Sequence, residues 1–302
     1  MTLSHPALSL FGIWRPDFNE PTWAQDLHGS PKIEGSPKIE GSPLGLSQSR
    51  FALLVKVRGF NLMTSSTKSA RRILLKLSGE ALGGATQFGI EPPILAEMAR
   101  NVIAIKEQGV QVALVIGGGN IFRGAALQKA GMDRTVGDHM GMLATVINGL
   151  AMRDELIRQG AQCVLMSAQG IASITEQYAA QKGRELLEQG AILIVAGGTG
   201  SPFFTTDTAA VLRAVELQCD EVLKGTKVDG VYTADPMKDP NAVKYDSLTY
   251  KEVLAHELEV MDLTAFALAR SHHLKIRVFS MINEGALLRA ALGEEEGTLI
   301  SD

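Results

Sequence analysis

Four charged side chains in this chain stand beside glycine-rich turns. Lys76 precedes Ser78 and Gly79, and Arg123 follows Gly117, Gly118, Gly119 and Asn120. Asp207 closes a run that opens with Gly197, Gly198, Thr199 and Gly200, and Lys224 precedes Gly225. Glycine has no Cβ, so such a turn lets backbone amides close on a ligand. A lysine inside an apolar strand is costly unless its ammonium meets an anion or reaches water. Lysine beside a glycine turn therefore reads as a phosphate site; the competing reading of Lys76 is an edge-strand lysine that snorkels to solvent. Asp207 has three readings: a helix cap, a carboxylate that aligns the two lysines, or both. Phosphoryl transfer asks a protein mainly for positioning and positive charge. Lys76 and Lys224 could supply that charge at the transferring group, while Arg123 could hold the acceptor's phosphate. Several such loops at one sheet edge suit a long polyanion or two phosphorylated ligands that meet. No G-x-x-x-x-G-K-[ST] occurs, which excludes a Walker A nucleotide site, and no G-x-G-x-x-G opens a helix, which counts against a dinucleotide oxidoreductase.

The elements that must carry these residues follow from the apolar periodicity. Strands are expected at 72–77, 110–116, 161–166, 192–196, 220–224, 275–279 and 298–300. Helices are expected at 91–108, 138–159, 175–189, 207–217, 245–256, 262–272 and 284–292. Residues 131–137 read as a loop, and the two Asp-Pro steps in 231–240 mark turns. The helix at 138–159 is apolar over much of its circumference, with Met140, Leu143, Ala144, Ile147, Leu150 and Ala151. Such a helix is buried in a core or against another subunit. Alternating strand and helix make the fold class α/β: a three-layer sandwich with a mainly parallel central sheet covered by helices on both faces.

The chain has 302 residues and a net charge of −4, which argues against a nucleic-acid partner. No apolar run approaches the ~20 residues of a membrane span. The two cysteines, Cys163 and Cys219, have no metal-like spacing and read as buried thiols of a cytoplasmic protein. Residues 1–69 differ from the rest. Gly-Ser-Pro-Lys-Ile-Glu occurs there in tandem, a composition too poor in apolar surface to order itself. The segment is no secretory signal. It is either a disordered extension or the product of a start upstream of the working Met63, and the polar lead-in MTSSTKSARR favours the second. Residues 51–57 could form a brief strand or helix. The folded domain is expected at 70–302.

From about Arg72 to the C-terminus the chain resembles the bacterial uridylate kinases of the amino-acid-kinase fold family. The resemblance rests on KLSGEALGG from Lys76, IGGGNIFRG from Ile116, VGDHMGMLATVINGLAMRDEL from Val136, GTGSPFFTTD from Gly198 and LKGTKVDGVYTADP from Leu223. The terminal VMDLTAFALAR, IRVF and GTLI segments agree. It implies transfer of the γ-phosphate of ATP to UMP, giving UDP and ADP for pyrimidine nucleotide biosynthesis. Mg²⁺ would be carried by the nucleotide, with no protein side chain as ligand. By position, Lys76, Leu77, Ser78, Gly79, Gly119 and Arg123 would line the ATP phosphates, and Thr226, Tyr232 and Asp235 would hold its base and ribose. Gly118, Asp138, Thr199, Gly200, Ser201, Pro202, Phe203, Phe204, Thr205 and Thr206 would hold UMP. Gly84, Ala85, Thr86, Gln87, Phe88 and Gly89 match a segment tied to activation by GTP. The family is hexameric and inhibited by UTP. Ser201 stands where the family often has Asn, a small polar exchange, and residues 167–183 match less well. The rival readings are a relative acting on a carboxylate or carbamate and a non-catalytic nucleotide-binding or storage protein. Acetylglutamate and aspartate kinases share the glycine loops but not the PFFTTD and DHMGMLAT combination.

Overall fold

The computed structural model describes residues 70–124, 131–256, 258 and 260–302. The expectations for residues 1–69, including 51–57, lie outside the described residues. Strands β1 (Arg72–Leu77), β2 (Gln111–Ile116), β3 (Cys163–Ser167), β4 (Glu176–Gln177), β5 (Ile192–Ala196), β6 (Glu221–Thr226), β9 (Ser247–Thr249), β10 (Lys275–Ser280) and β11 (Thr298–Ser301) form one sheet. Its order is β4-β3-β5-β2-β1-β6-β10-β11-β9, and only the β10–β11 pairing is antiparallel. Two short strands, β7 (Val231–Tyr232) and β8 (Lys244–Tyr245), make a separate antiparallel hairpin.

Side chains alternate across a strand, and the core divides accordingly. Ile73, Leu75 and Leu77 pack with α1 (Pro92–Glu107), α2 (Arg134–Arg158) and α7 (Ala286–Leu292) on one face. Leu74 and Val222 pack with α3 (Ala180–Glu188), α4 (Thr206–Glu216), α5 (Tyr250–Ala255) and α6 (Leu263–Ser271) on the other. This is the expected three-layer α/β arrangement. It brings the carboxyl ends of β3, β5, β2, β1 and β6 to one edge, and the loops that bear the charged residues with them. Cys163 and Cys219 are free and buried, and burial pushes both thiols up to about 12. Among the described residues no helix is long and apolar enough to cross a membrane.

Several expected boundaries are corrected. Helix α2 starts at Arg134 rather than 138, because the Asp133 carboxylate accepts from Val136 N (3.1 Å) and caps it there. Its apolar surface is buried on one side only: Ala144 faces the core, whereas Met140, Leu143 and Ile147 are exposed. The expected helix at 175–189 opens instead as a strand, Glu176–Gln177 pairing with the outer side of β3, and turns helical only from Ala180. Residues 245–256 split likewise. Lys244–Tyr245 joins the hairpin, Ser247–Thr249 pairs with β11, and the Thr249–Glu252 capping box delays the helix to Tyr250. Gly285 at φ 71° holds the last helix back to Ala286. Strand β6 runs on through Gly225 and Thr226 because β10 continues alongside it, so Lys224 lies within the strand rather than at its end. The glycine turn after β1 is a 3-10 segment, Gly79–Thr86.

Candidate active site

The sheet register sets Lys76 of β1 directly opposite Lys224 of β6. Both lie on the face that carries Leu74 and Val222, beneath the start of α4. Two like charges directly opposite one another are destabilising, and Asp207 offsets them. Its two carboxylate oxygens lie 2.8 Å from Lys76 Nζ and 2.7 Å from Lys224 Nζ. Asp207 is free for this because Thr205 is the helix cap, accepting from Asp207 N (3.1 Å) and Thr208 N (3.4 Å). Of the three readings of Asp207, alignment of the lysines is the one its geometry meets. Nor is Lys76 an edge-strand lysine, since β1 lies between β2 and β6.

Burial opposes ionisation of Asp207, but the two ammonium groups outweigh it and hold the carboxyl below its usual range. Lys224 is also shifted downward: burial lowers it, Asp207 offsets part of that, and the Lys76 charge lowers it further. Lys224 Nζ also donates to the Val260 carbonyl. A second carboxylate braces the assembly. Asp262 caps α6 and accepts from the hydroxyls of Thr205 and, at 2.7 Å, Thr208.

Two clefts flank this charged centre. The first, of about 440 Å³, lies between the loops after β2 and β5. Of the residues expected there, Gly118, Asp138, Thr199, Phe204, Thr205 and Thr206 line it, joined by Gly119. Asp138 accepts from Arg134 Nε (3.1 Å to each oxygen) and from Phe203 N (2.8 Å), which ties the start of α2 to the turn after β5. The Arg134 guanidinium lies 5.6 Å from the Phe203 ring centre. Gly200, Ser201, Pro202 and Phe203 form the outside of that turn rather than the cleft wall, with Thr199 Oγ1 accepting from Ser201 N at 3.1 Å. The second cleft, of about 530 Å³, is lined by Lys224, Thr226, Tyr232 and Asp235, together with His256, Leu258 and Val260. The Tyr232 hydroxyl donates to Asp229 (2.5 Å), which is also paired with Lys244 (3.2 Å).

The remaining expected residues are placed less directly. The Leu77 side chain is fully buried in the core, so only its backbone is available, and its carbonyl accepts from Gly117 N (2.9 Å). Ser78 and Gly84 line a separate cavity of about 260 Å³ beneath α1. Gly79 is needed where two loops meet, since a Cβ there would lie 2.3 Å from Gly117 O. Arg123 does not face the first cleft: its guanidinium pairs with Glu80 (3.0 Å), and its side chain is 57% exposed. The segment from Gly84 to Gly89 ends on Asn120, which donates to Gly89 O (2.6 Å). Arg134, Thr145, Asn148 and Asp262 escaped the sequence reading. For Asn148 a signal was there, an amide within a run from Met140 to Met152 that carries no charged residue.

This geometry sets two ammonium groups and their shared carboxylate between two clefts. Residues 71–280 match the amino acid kinase family, and the chain belongs to that family. It is 58% identical to a uridylate kinase of Vibrio cholerae over 241 residues, 80% of this chain and 99% of that one. The crystal structure of a UMP kinase from Bacillus anthracis matches with a TM-score of 0.75 at 38% identity, covering 77% of this chain and 96% of its own. A UMP kinase from Ureaplasma parvum matches with a TM-score of 0.73 at 33% identity, covering 77% and 99%. Within the amino acid kinases the chain belongs with the uridylate kinases.

Proposed function

We propose that the protein transfers the γ-phosphate of ATP to UMP, giving UDP and ADP. One observation carries this reading: the Lys224–Asp207 pair joins the two clefts. Lys224 lines the cleft of Thr226, Tyr232 and Asp235, while Thr206, next to Asp207, lines the cleft between the glycine loops. ATP would enter the cleft of Thr226, Tyr232 and Asp235, and UMP the cleft between the glycine loops, so that the transferring group meets both ammonium groups. The acceptor is a phosphate oxygen with a second pKa of about 6, already anionic at neutral pH. No general base is therefore needed, and Asp207 acts on the lysines rather than on a proton. In a loose transition state charge is spread over the three peripheral oxygens of the transferring group, between the attacking and leaving oxygens. Lys76 and Lys224, fixed by one carboxylate, stabilise that charge without reorganising.

Mg²⁺ would come with the nucleotide, where it neutralises phosphate charge. Both Asp207 oxygens are already taken by ammonium groups, in keeping with a metal held by phosphate rather than by that carboxylate. Activation by GTP, inhibition by UTP, a homohexamer and a cytoplasmic location belong to the same proposal. The tie between Gly89 and Asn120 gives the GTP-linked segment a physical path to the glycine loop. The exposed stripe of Val136, Met140, Leu143 and Ile147 on α2 is suited to a second copy.

The test is ADP release in a coupled assay with UMP, CMP, dCMP and acetylglutamate as acceptors. UMP is expected to be strongly preferred, because a polar site that must leave its groups unpaired rejects the wrong base. Comparable kcat/KM for UMP and CMP would overturn the assignment.

A further inference from the structure

We propose that Thr145 and Asn148 of α2 are positioning residues that fix the gap between the two glycine loops, and with it the seating of the acceptor. The two are three residues apart, about 4.5 Å of helix rise, and each holds a different loop. Thr145 Oγ1 accepts from Gly197 N (2.8 Å), the first residue after β5, and donates to Met142 O (2.6 Å). Asn148 Nδ2 donates to Gly117 O (2.7 Å), the first residue after β2. Thr145 itself lines the cleft that opens between these loops.

The Asn148 contact is locked from behind. Asn148 and Asn120 exchange amide hydrogen bonds of 3.0 and 2.7 Å, and both are 0% exposed. Their remaining capacity goes to loop backbone, Asn148 to Gly117 and Asn120 to Gly89. A buried amide left without partners carries its full desolvation cost, so the pair has one low-energy arrangement and the loop has one position. The loop also lies hard against the helix. A Cβ on Gly118 would come within 2.7 Å of Ala144 Cβ and 2.8 Å of Gly141 O. Neither loop can shift along α2 without breaking a buried hydrogen bond or overlapping the helix. That rigidity matters because misplacing a reacting group by ~1 Å can cost about a hundredfold in rate.

This inference rests on the proposed seating of UMP between the loops, and the experiment separates the two. Thr145→Val keeps the branched shape and removes the acceptor for Gly197 N, whereas Thr145→Ser restores it. KM and kcat are measured for each substrate at a temperature where circular dichroism shows each variant folded. Thr145→Val is expected to raise KM for UMP roughly tenfold or more and to leave KM for ATP within about twofold, with Thr145→Ser close to the parent. Asn148→Asp gives a second readout should Thr145→Val not fold. Its carboxyl can donate to Gly117 O only while protonated, so its kcat/KM should fall further behind the parent as pH rises. A folded Thr145→Val with unchanged KM for UMP, a Thr145→Ser as impaired as Thr145→Val, or an Asn148→Asp deficit independent of pH would each overturn the inference. An inactive parent would overturn the proposed function along with it; an active parent with indifferent variants would overturn this inference alone.

Discussion

Asp207→Asn isolates the charge that holds the centre together. At 2.8 and 2.7 Å, each ion pair carries about 6 kcal/mol of gross attraction at an effective dielectric constant of about 20, most of it cancelled by desolvation. Removing one partner of a buried pair typically costs ~3–5 kcal/mol, because the other charge stays behind. Here two charges stay behind, but the side chains keep 13% and 15% of their exposure, so the lower end applies, about 3 kcal/mol. For a domain of this size that is a fall in Tm of about 6–12 °C. The amide oxygen can still accept from one lysine while its NH₂ faces the other, so the ammonium groups separate and kcat should fall on the order of a hundredfold or more. Thermal melting and the coupled assay read the two effects independently. Lys76→Met added to Asp207→Asn removes the surplus charge and should recover part of the Tm but none of the kcat. A single variant with Tm within about 2 °C and kcat within about threefold of the parent would refute this account of the centre.

Other outcomes follow from the surrounding charges. Lys76→Ala and Lys224→Ala should chiefly lower kcat, whereas Arg123→Ala should chiefly raise a KM, and measuring each KM separately tells which nucleotide it holds. Because Glu80 occupies Arg123 at 3.0 Å, Glu80→Gln should lower that same KM by no more than about fivefold, the range of an exposed ion pair; an unchanged value would mean that Glu80 does not compete with phosphate. Burial sets Lys224 below the ordinary lysine value. Since it acts as a cation, kcat should fall as pH rises through a limb below ~10.4. Lys224→Arg cannot lose its proton and should move that limb upward or abolish it; an unmoved limb would assign the titration to another group. A chain beginning at Met63 should keep its kcat, since every residue assigned to the site lies at or beyond Lys76; a large loss would place part of the working protein upstream.

The sequence carried the parts of this site that depend on local pattern. Strand, glycine and lysine stand next to one another in the chain, so Lys76, Lys224 and both loops could be found by spacing. Period-2 alternation even places Lys76 and Lys224 on one face, but only the pairing register sets them opposite each other. What remained hidden depends on contacts between distant segments. Thr205 rather than Asp207 caps α4, and both residue types fit that position equally well. Arg123 looked free to reach a ligand, but Glu80, which gave no hint of a partner, holds it aside. Glu176–Gln177 became a strand because the outer side of β3 offered hydrogen bonds that no local propensity records. Asn148 gains its role only through contacts with Asn120 and Gly117, which come from another part of the chain.

Helix α2 presents Thr145 and Asn148 to the loops, and Met140, Leu143 and Ile147 to the outside, within the same two turns. A helix is stiff over such a length, so these two sets of side chains move as one body. If copies of the chain meet on the outer stripe, whatever tightens or loosens that contact also rocks the mounting of both loops. Dilution then becomes a kinetic variable. KM for the acceptor would drift with protein concentration while every residue in the cleft stayed the same.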